Sequence, residues 1–85
     1  MKIQYDGKTV EIADSTYSEI DVNSLCYPGP IGSCGFRSGS WLFKFRGQEY
    51  RTIASVPHRL DFDKQDEIVR RQAAVDLLRA GIVIA

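Results

Sequence analysis

The sequence predicts an α+β fold: two β-hairpins in a mainly antiparallel sheet, packed on one C-terminal α-helix, with a short terminal strand from the apolar tail. Three stretches carry that expectation. Residues 1–12 alternate apolar and polar side chains about Asp6-Gly7, and residues 38–54 do so about Gly47-Gln48. Residues 61–80 repeat apolar side chains at helical spacing. The whole chain of 85 residues is expected to form one small domain.

In the first hairpin, Asp-Gly between alternating runs is a strong type I′ turn signal. It pairs Lys2 with Glu11, Ile3 with Val10 and Tyr5 with Lys8, and it gathers Ile3, Tyr5, Val10 and Ile12 on one face. These residues, an MKI-type strand, a turn and a second strand, resemble the opening of β-grasp sulfur-carrier proteins. That family works through a C-terminal Gly-Gly tail. The sequence here ends Ile82-Val83-Ile84-Ala85, so the carrier activity is not expected.

Residues 13–25 carry two signals. Thr16 and Glu19 have capping-box spacing, while Ile20 and Val22 alternate as in a strand; a short strand or irregular segment is expected. Residues 26–40 hold Pro28, Pro30 and four glycines, so they read as a loop. Tyr27, Ile31 and Phe36 supply apolar side chains that either pin such a loop or meet a partner.

The second hairpin is the centre of the functional argument. A turn at Gly47-Gln48 would be type II′ and would set Phe45 opposite Tyr50 and Lys44 opposite Arg51. Trp41, Phe43, Phe45, Tyr50, Thr52 and Ala54 then share an aromatic face suited to a core wall. Leu42, Lys44, Arg46, Glu49, Arg51 and Ile53 share the other. Lys44 and Arg51 directly opposite would repel, and an anionic ligand or a partner carboxylate would relieve that; splaying into water would too.

In the helix, Asp61 or Asp63 is placed to cap the N-terminus, Arg79 lies near the C-terminus and Gly81 follows it. Val69, Ala73, Leu77 and Ala80, widened by Ala74 and Leu78, form the core stripe. Ile68 and Val75 fall outside it, as lone exposed aliphatics or half of a contact.

Charge narrows the function classes. The chain is neutral overall, but residues 1–36 carry −3 and residues 37–71 carry +3. A dedicated non-specific DNA binder would be basic overall, since phosphate neutralisation supplies most of its affinity. The local basic cluster comprises Arg37, Lys44, Arg46, Arg51 and Arg59. With Tyr27 and Phe36 these are the candidate binding residues.

Catalytic and metal chemistry find little support. Cys26 and Cys34 with the single His58 fall short of a zinc ligand set. The two thiols are expected free, because no secretion signal precedes them. A Cys34–His58 nucleophile pair lacks an evident orienting group. The acids Asp61, Asp63, Asp66 and Glu67 suit capping and lack a calcium-loop pattern. No cofactor is expected. With no signal-like apolar run, the expected compartment is the cytoplasm, of a cell or of a virus-infected host.

Gly39 to Leu78 is similar to the sheet-type DNA-binding arm domains of phage-type tyrosine integrases. The matching residues are Gly39, Trp41, Phe43-Lys44-Phe45-Arg46, Gly47, Tyr50-Arg51 and Ala73-Ala74. The resemblance implies a sheet face in the major groove, with Lys44, Arg46 and Arg51 on DNA. Double-stranded RNA-binding domains have a similar strand–strand–helix order, but their helix begins with lysines where this one has Asp63, Asp66 and Glu67. The expected function is therefore non-catalytic: a small regulatory or inhibitory protein, of the kind phages and mobile elements encode, that binds a protein or nucleoprotein partner. A sheet-type DNA-binding module is the alternative. A homodimer is left open, and no membrane partner is expected.

Overall fold

The computed structural model describes residues 1–22 and 35–84. In chain order the elements are β1 (Lys2–Tyr5), β2 (Lys8–Glu11), α1 (Asp14–Ser18), β3 (Asp21–Val22), β4 (Phe36–Phe45), β5 (Gln48–Pro57) and α2 (Phe62–Arg79). The class is α+β, as expected. The two hairpins form separate antiparallel sheets, β1-β2 and β3-β4-β5. Helix α2 packs against β5, β1 and β3.

The first hairpin has the register its sequence implies, from Lys2↔Glu11 to Tyr5↔Lys8. Asp6 and Gly7 take φ of 50° and 77°, the left-handed pair that a type I′ turn requires. Ile3 and Ile12 are buried.

The second hairpin turns one residue earlier than expected. Its loop is Arg46-Gly47, with φ of 51° and 79°, so the turn is type I′ rather than II′. Phe45 pairs with Gln48, Lys44 with Glu49 and Phe43 with Tyr50. The expected Lys44–Arg51 opposition is replaced by an opposite-charge pair, and Phe43 stacks on Tyr50 with ring centroids 5.5 Å apart. The pairing changes by two positions, so every side chain keeps its face. Trp41, Phe43, Phe45, Thr52, Ala54 and Val56 are all buried.

Three further expectations are corrected. Residues 14–18 form one helical turn, and the short strand expected in this segment is Asp21–Val22 among the described residues. Thr16 lies inside that turn rather than capping it, and Glu19 ends it. The Met1 ammonium donates to the Ile12 carbonyl and to Asp14 Oδ1, which ties the start of α1 to the first hairpin. Residues 36–40, read as loop, are the first half of β4, because Ile53 to Pro57 supply them with a continuous partner strand. Gly39 within it has φ of 149°, which glycine adopts freely. Residues 82–84 of the tail make no strand. Ile82 N–H and Val83 N–H both donate to the Leu77 carbonyl, closing the end of α2 around Gly81 (φ 74°), and Val83 is buried.

Helix α2 starts as expected, with Asp61 Oδ1 accepting from Lys64 N–H at 2.9 Å. Val69, Ala73, Ala74, Leu77 and Leu78 are buried, whereas Ala80 is an exposed C-cap. Ile68 and Val75 are half-buried and pack on the core. With Ile3 they floor a groove of about 250 Å³ rimmed by Gln4, Arg71 and Gln72. The buried arc of α2 is therefore wider than the stripe in its sequence, because it meets elements of both sheets.

Candidate interaction surface

The strand alternation that buries Trp41, Phe43 and Phe45 turns Leu42 and Lys44 outward on β4. On β5 it turns out Glu49, Arg51, Ile53 and Ser55. This is the face of the three-stranded sheet away from the core. Lys44 is flanked by Glu49 on one side and Asp21 on the other in register. Arg51 stands opposite Leu42, diagonal to Lys44 at about 7–8 Å between backbones. Ile53 is 76% exposed and faces Ser40. Ser38 and Ser55 share a hydroxyl hydrogen bond of 2.7 Å further along.

The candidate residues do not all converge. Lys44 and Arg51 lie together on the outer face. Arg46 sits in the hairpin turn; its Nε is 2.9 Å from Glu19 Oε2 and its guanidinium stacks 4.8 Å from the Phe45 ring centre. Phe36, 38% exposed, is at the other end of β4 opposite Pro57, about 27 Å from Lys44 along the strand. Arg59 is exposed in the turn after β5, at that same end. Arg37 occupies a β4 position paired with Val56, and its side chain lies outside what is described. Tyr27, Cys26 and Cys34 also lie outside the described residues, and with them the thiol pair and the Cys34–His58 alternative.

Asp21, Leu42, Glu49 and Ile53 belong to this surface but were not among the binding residues read from sequence. Ile53 was legible by alternation alone, since it shares a face with Lys44 and Arg51. Asp21 was not, because its neighbour Lys44 is 23 positions away and no local pattern links them.

His58 is exposed, as expected of a connecting turn. Its backbone is used structurally: its N–H donates to the Gly35 carbonyl at 2.9 Å, and its carbonyl accepts from Gln65 Nε2 at 3.3 Å. Among the described residues no group of three or more His, Cys, Asp or Glu is placed to hold a metal ion. Among the described residues no helix is long and apolar enough to cross a membrane.

Two perturbed titrating groups, Tyr17 and Asp14, lie away from this face. Burial, and then a hydrogen bond to Glu67 Oε1 at 2.7 Å, push the Tyr17 phenol well above its ordinary range. The Met1 ammonium, 2.8 Å from Asp14 Oδ1, holds that exposed carboxyl below its ordinary value. Both contacts anchor α1, the first to α2 and the second to the first hairpin.

Comparison with protein-family models, with curated proteins and with solved structures returns no match to this chain.

Proposed function

We propose that the protein is a non-catalytic interaction domain that binds another protein on the outer face of β3-β4-β5, in a regulatory or inhibitory role. The observation that carries this reading is Ile53, 76% exposed at the middle of a ten-residue strand, on the same face as Leu42, Arg51 and Lys44. An exposed aliphatic within a mixed-charge field has the make-up of a protein-binding patch, with an apolar centre and a polar rim. The acids favour a protein partner over nucleic acid. Asp21 and Glu49 flank Lys44, and Glu19 engages Arg46, so little of the cationic charge of those two residues is uncompensated. Phosphate binding depends on such uncompensated charge.

The test compares capture of partners from the native host by the wild-type protein and by Arg51→Glu, alongside a duplex-DNA titration across a salt series. A specific protein partner lost in Arg51→Glu, with no DNA affinity at low salt, supports the proposal. DNA affinity that falls steeply with salt and weakens in Arg51→Glu would replace it with the DNA-binding alternative.

A further inference from the structure

Among the described residues, strand β5 is an edge: its only strand partner there is β4, and the ten pairs from Phe36↔Pro57 to Phe45↔Gln48 run without a bulge. In a hairpin closed by the two-residue loop Arg46-Gly47, Phe45 and Gln48 exchange main-chain hydrogen bonds, and every second pair after them does so too. The main-chain groups of Gln48, Tyr50, Thr52, Ala54 and Val56 are thereby directed at β4. Those of Glu49, Arg51, Ile53 and Ser55 are directed away from it. Among the described residues, none of these four main-chain groups takes part in the hydrogen bonds found outside the strands, and all four side chains are exposed. A long, flat edge of this kind is a template for another strand.

We infer that the β5 edge is a homodimer interface, in which two copies of the chain pair β5 with β5 antiparallel across a two-fold axis at Tyr50. The commitment to a second copy rests on charge complementarity. Only odd-numbered residues offer free main-chain groups, so a symmetric register must set odd against odd. An axis at Arg51 would oppose two arginines, and an axis at Glu49 would oppose two glutamates. An axis at Thr52 sets Glu49 against the partner's Ser55, and an axis at Ile53 sets Glu49 against the partner's Pro57, which has no N–H to give. The axis at Tyr50 sets Glu49 against the partner's Arg51 and Arg51 against the partner's Glu49, two opposite-charge pairs at once. It also joins the two three-stranded sheets into one of six strands, so that two copies of the Lys44–Arg51–Ile53 surface lie on a continuous face. The dimer stands or falls independently of the proposed function, which needs only one copy of that surface.

The test is sedimentation equilibrium of the wild type, Glu49→Arg, Arg51→Glu and the double exchange, with amide hydrogen exchange of the wild type at low and high concentration. The wild type is expected to dimerise by about 100 μM, in the range of modest interfaces. Each single reversal should weaken the dimer about tenfold or more, and the double exchange should restore most of it. The Glu49 and Arg51 amides should exchange more slowly as the concentration rises. A wild type that stays monomeric, with amide rates independent of concentration, would overturn the inference and leave Glu49 and Arg51 as charges guarding an edge. A dimer indifferent to both reversals would overturn it as well. If a reversal variant fails to unfold cooperatively, the wild-type amide rates decide alone.

Discussion

Thr52, buried in the middle of β5, donates its hydroxyl to Asp76 Oδ2 on α2 at 2.5 Å. The same carboxylate accepts from Gln72 Nε2 at 3.3 Å. This is a polar tie between the hairpin and the helix. Val matches Thr in shape but gives no hydrogen. Thr52→Val should therefore leave a half-buried carboxylate short of a donor and cost about 1–3 kcal/mol. Urea unfolding measures it, and a double-mutant cycle with Asp76→Ala assigns the loss to the pair. A coupling near zero would show that the tie contributes nothing.

Tyr17 gives stability a dependence on alkaline pH. Its phenol is held neutral by burial first and by its hydrogen bond to Glu67 second, with Arg71 and Arg70 partly opposing. The folded pKa is raised, so the contribution is fully present below the unfolded value of about 10 and is lost as pH rises beyond it. Tyr17→Phe should cost about 1 kcal/mol at neutral pH and should remove that alkaline slope. Denaturant midpoints taken on either side of the phenol's ordinary pKa check both effects. An unchanged slope in the variant would mean that another group sets it.

Asp14 acts at the acid end. Its folded pKa is lowered by the Met1 ammonium, so its stabilisation is present above the ordinary carboxylate value and is lost as pH falls through the lowered one. The carboxyl is exposed, and the effect should shrink in high salt. Titration of Asp14 by NMR should show a depressed pKa that acetylation of the N-terminus returns toward normal. No response to acetylation would exclude the pair.

The turn of the second hairpin has a direct test. Gly47 has φ of 79°, and a Cβ there meets no atom within 4 Å, so Gly47→Ala should cost about 1–2 kcal/mol through backbone strain alone. Gln48 is the first residue of β5, outside the loop, and Gln48→Ala should change stability by less than about 0.5 kcal/mol. An Hα–Hα NOE between Lys44 and Glu49, a non-hydrogen-bonded pair, identifies the Arg46-Gly47 loop, and one between Phe45 and Tyr50 would favour the Gly47-Gln48 loop read from the sequence.

That turn shows what local sequence carries and what it does not. Alternation alone assigned Trp41, Phe43 and Phe45 to the core, because a two-position change in pairing leaves each face intact. The choice between Arg46-Gly47 and Gly47-Gln48 depended on cross-strand partners, Lys44 with Glu49 and Phe43 with Tyr50. Turn propensity does not weigh these, and it favoured glycine first over arginine at positive φ. Asp61 and Gly81 marked the ends of α2 because capping is local chemistry. The burial of Ile68 and Val75 was not legible, since it depends on Ile3 arriving from the other end of the chain. The charge state of the surface was hidden for the same reason: Glu19 and Asp21 come to Arg46 and Lys44 only through the fold.

The claim that the outer sheet face is the working surface is tested most directly by mapping backbone amide shifts as a captured protein partner is titrated in. The expected perturbations cluster on Leu42, Lys44, Arg51 and Ile53, and Ile53→Asp should abolish them. Perturbations confined to the groove of Ile3, Ile68 and Val75, or binding undiminished in Ile53→Asp, would contradict it.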